Sequence, residues 1–284
     1  MLSKFDYMKP KTLQEAFVLM GENPGIRLLA GGTDLMIVLR RNMELIEHLM
    51  DIKEIPETKR FEYNQGEGLY IGASITVNEI AELEVVGEKY QALKQAADSL
   101  ASYQLRNRAT LVGNICNASP GADLASPLLI FDAIVHIAGP NGKREVAIGE
   151  FFTGVKKTVL EPNEIVLGVS LPDVQNGDNS VFLKQARVKG HDLGIAGVSL
   201  RKTSDNQICV AMTAVAPTPI RLTQLEKAMS GKALTTELAE WIFEEIRNHI
   251  KPISDIRSSA EYRLHVSGVL AKKGLLQLIE MGGQ

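Results

Sequence analysis

Cysteine, histidine clusters, basic runs and long apolar stretches are all scarce in this chain, and each scarcity removes a class of function. Only two cysteines occur in 284 residues, Cys116 and Cys209. They form no C-x-x-C pair and have no third thiol to share a metal, so the chain cannot hold an iron–sulfur cluster alone. The five histidines (His48, His136, His191, His249, His265) are scattered without ligand spacing, which argues against a self-contained metal site. The formal net charge is −3, and no lysine or arginine run is long enough to follow a phosphate backbone. Nucleic acid is therefore not an expected partner. No stretch of about 18 apolar residues exists, and the start, Met1 to Tyr7, carries charge where a secretory segment needs an apolar run. A cytoplasmic protein with no membrane partner is the expectation.

Aromatics make up only 5% of the chain, but the hydrophobic share of 45% and charged share of 23% suit an ordinary mixed globular protein. Its length allows two or three compact units. Thr12 is placed to cap a helix through Leu13, Ala16, Phe17 and Met20. Residues 26–30 then read as a short buried strand and 35–39 as a helical turn. The stretch 54–68 is polar and loop-rich, before a strand at 69–73 and a capped helix from Thr76 to Leu83. A helix is predicted over 92–100, and another from Ser126, with serine at the N-cap and Pro127 at the first helical position. Strand patterns recur at 133–137, 164–171, 181–188, 195–201 and 208–215, followed by helical periodicity over 234–249 and 259–279. These patterns predict an α+β (mixed α/β) protein with parts at 1–55, 56–175 and 176–284, the last an antiparallel sheet with helices.

Two segments carry chemistry. In Leu29-Ala30-Gly31-Gly32-Thr33-Asp34-Leu35, two glycines at a strand end allow a tight turn that exposes successive amide N–H groups. The positive end of the next helix adds to them, which suits a diphosphate without a side-chain cation. Asp34 or Thr33 is expected to cap that helix, and a plain glycine turn with a good cap is the simpler alternative. The full G-x-G-x-x-G of a nicotinamide site is absent. The second segment, 106–123, is long, small and amide-rich, and is expected to be a binding loop between helices. Thr110, Asn114 and Ser119 can donate to phosphate or ribose, Gly113 allows close backbone approach, and Asp123 can accept from a ribose hydroxyl or an amide. An internally bonded surface loop is the alternative.

Both segments resemble the FAD-binding signatures of the flavin subunit of molybdenum hydroxylases, a family that includes bacterial xanthine dehydrogenase and carbon monoxide dehydrogenase. The resemblance continues through residues 161–167, Phe182 to Arg187 with Asp192, and Ala216 to Arg221, and so spans nearly the whole chain. It implies a two-part FAD-binding domain of the vanillyl-alcohol-oxidase (PCMH) type, followed by the C-terminal domain of a carbon monoxide dehydrogenase flavoprotein. By the same resemblance, Leu29 to Leu35 and Thr110 to Asn114 wrap the FAD diphosphate. Asp123 meets the ribose or adenine side, Leu100 and Leu167 line the cofactor, and Lys184 lies near the flavin. The bland alternatives are core leucines, a solvated lysine, and an Arg187–Asp192 pair that only ties two loops together. The chain departs from the family at Val112-Gly113-Asn114, where Gly-Gly-Asn is common; valine restricts the backbone there.

The implied chemistry is electron transfer, with the flavin supplying the reactivity. The resemblance implies a subunit that takes electrons from [2Fe–2S] clusters on an iron–sulfur subunit and passes them through FAD to NAD⁺ or another acceptor. A separate subunit would carry the molybdenum cofactor. A stand-alone flavin oxidase or diaphorase and an assembly module that has lost FAD are the alternatives.

Overall fold

The computed structural model describes residues 4–41, 43, 45–188, 190 and 192–282; His191 lies outside them. Its first part runs β1 (Asp6–Met8), α1 (Leu13–Glu22), β2 (Arg27–Leu29), α2 (Leu35–Arg40) and β3 (His48–Asp51). The strands pair in parallel in the order β1-β3-β2. Thr12 starts α1 as predicted, accepting from the Glu15 N–H, and Leu13, Ala16 and Met20 form its buried stripe. β2 runs directly into the glycine turn. That turn stands at the carboxyl end of the parallel sheet, where crevices for ligands open in such folds.

Two 3₁₀ turns, Ile52–Glu54 and Pro56–Lys59, lead to β4 (Phe61–Asn64) and β5 (Gly68–Gly72). Six helices follow: α3 (Val77–Glu82), α4 (Glu84–Lys89), α5 (Gln91–Ser99), α6 (Tyr103–Arg106), α7 (Leu111–Cys116) and α8 (Ala125–Ile130). Then come β6 (Ile134–Gly139), β7 (Gly142–Ala147), α9 (Ile148–Phe151), β8 (Phe152–Gly154), β9 (Lys157–Thr158) and β10 (Ile165–Leu171). An antiparallel sheet forms in the order β4-β5-β10-β6-β7. Its inward residues Leu69, Ile71, Val135, Ile137, Val169 and Leu171 share one buried core with Ile80, Leu93, Leu111 and Leu128 of the helices.

Three expectations are corrected here. The polar stretch 54–68 contains the edge strand β4, in which Phe61 and Tyr63 lean on the core while Glu62 and Asn64 face out. The segment 106–123 is not a loop throughout, because α7 lies within it and α6 leads into it. Both are too short to show periodicity, and each starts on a side-chain cap: Ser102 accepts from Leu105 N–H, and Thr110 from Gly113 N–H. Finally, α8 begins at Ala125 without a side-chain cap. Ser126 is buried inside the helix, and its hydroxyl accepts from Ser199 at 2.9 Å.

The last part contains β11 (Asn179–Gln185), β12 (Ala196–Lys202), β13 (Ile208–Thr213) and β14 (Ile220–Arg221), antiparallel in chain order. The helices α10 (Thr223–Met229), α11 (Thr236–Glu245) and α12 (Ala260–Gly282) complete it. α12 packs on β11 and β12 over a second core. The edge strand β11 is covered by α5: Ser180 accepts from Ala92 N–H at 3.1 Å, and Gln95 accepts from Phe182 N–H at 2.6 Å. An edge paired in this way is closed to another chain. Among the described residues no helix is long and apolar enough to cross a membrane.

Candidate cofactor site

Gly32 has φ +75°, the left-handed conformation that glycine adopts freely. A Cβ at Gly31 would stand 2.1 Å from the Arg108 carbonyl oxygen, so the first glycine segment rests directly on the residues that precede the second. Among the described residues no acceptor faces the backbone N–H of Gly31, Gly32, Thr33, Asp34 or Leu35. Five consecutive donors thus stand free at the end of β2, as the sequence predicts. The expected cap does not form. Asp34 is already helical (φ −87°, ψ −45°), whereas a capping side chain needs extended backbone to reach back over the first turn. Thr33 does not replace it, since α2 has no side-chain cap.

The second segment is joined to the body through a bridge between Thr76 and Thr110 and by the Val77 N–H donating to Ala109 O at 2.8 Å. Thr110 is extended (φ −117°, ψ 153°) and caps α7, so its oxygen is occupied as an acceptor while its proton remains to be donated. Val112 is helical and buried beside Leu111 and Ile115. Asn114 Oδ1 accepts from Leu124 N–H at 3.3 Å, and Ser119 Oγ from Gly121 N–H at 3.4 Å. Among the described residues the donors of both side chains meet no acceptor.

Asp123 and Lys184 meet in an ion pair of 2.6 Å, with each side chain only 8% exposed. Among the described residues Asp123 Oδ1 is buried without a partner, and burial pushes this carboxyl above its ordinary range against the pull of Lys184. The lysine also approaches Ser99 O at 3.5 Å, next to Leu100. The contact brings the side chains of Asp123 and Lys184, from the second segment and from β11, to one place. Leu167 lies in the first core beside a bulge in β10, and its carbonyl accepts from Ala73 N–H at 2.8 Å. Leu100 packs half-buried against the same core, its carbonyl held by Arg106 at 3.0 Å. Arg187 grips Asp192 through Nε and Nη2 at 3.1 and 3.0 Å, closing the loop between them and holding the carboxyl well below its usual range.

Sequence reasoning missed a group behind the glycine turn. Lys53 Nζ donates to Ala30 O at 3.0 Å and lies 2.7 Å from Asp51 Oδ1, and Asp51 also accepts from the Tyr7 hydroxyl. The available signal was an acidic residue ending a buried strand, two positions before a lysine.

A row of free amides on a turn that admits no Cβ, with hydroxyl and amide donors close by, fits the phosphates of a dinucleotide. Residues 3–174 match the family model described as the FAD binding domain in molybdopterin dehydrogenase. The chain belongs to this family. FAD is therefore its cofactor, and it is an oxidoreductase subunit. Residues 181–278 match the CO dehydrogenase flavoprotein C-terminal domain. Similar proteins include the xanthine dehydrogenase FAD-binding subunit of Escherichia coli O157:H7, 33% identical over 98% of this chain and 97% of that one. The carbon monoxide dehydrogenase medium chain of Hydrogenophaga pseudoflava is 32% identical over 96% of each. A solved carbon monoxide dehydrogenase from the same organism superposes with a TM-score of 0.92 at 31% identity, covering 97% of both chains. This family member shares their two-domain α+β architecture.

Proposed function

We propose that this FAD-binding chain serves a hetero-oligomeric molybdenum hydroxylase of the xanthine dehydrogenase kind. It would work beside an iron–sulfur subunit and a molybdenum-cofactor subunit, and deliver electrons to NAD⁺ or another acceptor. Within it, residues 1–55 and 56–175 hold the cofactor between them, and 176–284 supplies Lys184. The observation that carries the assignment of the site is the row of five free amides from Gly31 to Leu35, seated on Arg108 and Ala109.

FAD, when bound, supplies the redox-active ring; the protein supplies binding, orientation and shielding. Gly31, Gly32, Thr33, Asp34 and Leu35 bind the diphosphate through main-chain donors, at the end of the strand segment that Leu29 and Ala30 complete. Thr110, Val112, Gly113 and Asn114 face it from the first turn of α7, and Ser119 donates from the following loop. Asp123 and Lys184 act together at one end of the cofactor, where the lysine's charge favours negative charge on the ring and the aspartate's unfilled Oδ1 accepts a ring or ribose proton. Leu100 and Leu167 exclude water from its edge. The names of the relatives support the subunit assignment.

The test has two parts. The purified chain, incubated with FAD and desalted, is expected to keep flavin absorption bands and to release FAD on denaturation. Pulled from its own cells, it is expected to bring chains carrying iron–sulfur and molybdenum centres. A colourless protein overturns the assignment of the site, and a flavin-loaded protein that brings neither partner overturns the subunit role.

A further inference from the structure

We propose that Lys53 is the positioning residue of the diphosphate cradle: anchored by Asp51 and Tyr7, it holds the Ala30–Gly31 peptide so that the Gly31 N–H faces the cofactor. The proposal rests on FAD occupying this turn. Its starting point is the geometry of one peptide bond. No cis peptide occurs among the described residues, and in a trans peptide the C=O and N–H point in opposite directions. Lys53 Nζ donates to Ala30 O at 3.0 Å. The N–H of Gly31 must then point away from Lys53, and no acceptor among the described residues meets it.

That orientation needs a restraint. Glycine rotates freely about its backbone, and a flip of the Ala30–Gly31 peptide would turn a carbonyl oxygen toward the phosphates in place of a donor. Two contacts oppose the flip: the Arg108 carbonyl against Gly31, and Lys53 on Ala30 O. The lysine is itself fixed. Asp51, buried at the end of β3, lies 2.7 Å from Lys53 Nζ and accepts from the Lys53 N–H at 3.0 Å and from the Tyr7 hydroxyl. All three groups belong to the carboxyl side of the parallel sheet, since β1 carries Tyr7, β3 carries Asp51, and β2 feeds the turn. Lys53 thus acts from behind the main chain, through a peptide, and does not touch the phosphate.

The experiment compares dissociation constants of the full chain for FAD and for riboflavin, which has the same ring and no phosphate. Lys53→Met is expected to weaken FAD about tenfold or more, as loss of a hydrogen bond from a charged group would, and to leave riboflavin nearly unchanged. Lys53→Arg keeps a cation that can reach Ala30 O and is expected to restore most of the FAD affinity. The double variant Asp51→Asn with Lys53→Met leaves no buried charge unpaired, keeps the fold, and is expected to show the same selective loss. Wild-type chain that ignores FAD overturns the cofactor site and this proposal together. Wild-type chain that binds FAD, with Lys53→Met binding it equally well, overturns the clamp alone. Equal loss of FAD and riboflavin also overturns it, because Lys53 would then serve only the fold.

Discussion

Val112 stands where glycine is common in the family, yet it is helical, 4% exposed and packed beside Leu111 and Ile115. Its backbone is one that any L-residue adopts, so valine brings no strain and adds apolar burial. Val112→Gly is therefore expected to destabilise the protein by about 2–3 kcal/mol through lost burial and lower helix propensity, with FAD affinity almost unchanged. Chemical denaturation and an FAD titration would check the two halves; a marked gain in FAD affinity would mean that valine distorts the cradle. At this scale the sequence reveals residue types but not long-range contacts. Two glycines and a following turn are legible, whereas the reason Gly31 admits no side chain is the distant Arg108 carbonyl. Lys184 and Asp123 are 61 residues apart, and nothing in the spacing of either announces the other.

Among the elements caps were legible in part, since those expected at Asp34 or Thr33 and at Ser126 do not form. Thr12 and Thr76 both start helices as predicted, the latter with Glu79 in a full capping box. Pieces of four to six residues, such as β4, α6 and α7, escaped because one turn or two alternations give no period to read. Tertiary bonds hold these short elements, as Asp173 illustrates. It accepts from Gly66 N–H and Tyr63 hydroxyl at 2.8 Å each and from Lys89 Nζ at 3.2 Å, tying the β4–β5 hairpin to α4. Burial works against its ionisation, but these bonds outweigh it and lower the carboxyl from 3.8 to about 2. A depressed carboxyl stabilises the fold above its unfolded value and loses that contribution as pH falls from about 4 to about 2. Asp173→Asn is expected to flatten the acid limb of stability in that window by about 1 kcal/mol, allowing for solvent screening. Urea midpoints at pH 2, 3, 4 and 7 would show it, and an unchanged acid limb would rule it out.

For the whole molecule, the α+β class and the antiparallel C-terminal sheet were legible, but the way its parts lock together was not. Arg263, at the start of α12, is fully buried and donates to Ile195 O at 2.6 Å, Ala214 O at 3.1 Å and Asp255 at 2.7 Å. The Ala214 N–H in turn donates to Pro120 O at 2.6 Å, inside the second cofactor segment. An arginine in a helical pattern reads as a surface residue, since only assembly shows which carbonyls it reaches. Arg263→Met is expected to cost about 3 kcal/mol by leaving buried carbonyls unsatisfied and to weaken FAD binding through Pro120. Loss of stability with cofactor affinity intact would show that the C-terminal domain does not brace the site.

The five amides from Gly31 to Leu35 also have a consequence for supply. With a diphosphate on them, every occupied molecule is withdrawn from the unfolding equilibrium. By mass action the folded state then gains about 2.7 kcal/mol when free cofactor stands at a hundred times its dissociation constant, and nothing when it is absent. How much of this chain a cell keeps intact would follow its vitamin B2 nutrition as well as the expression of its gene.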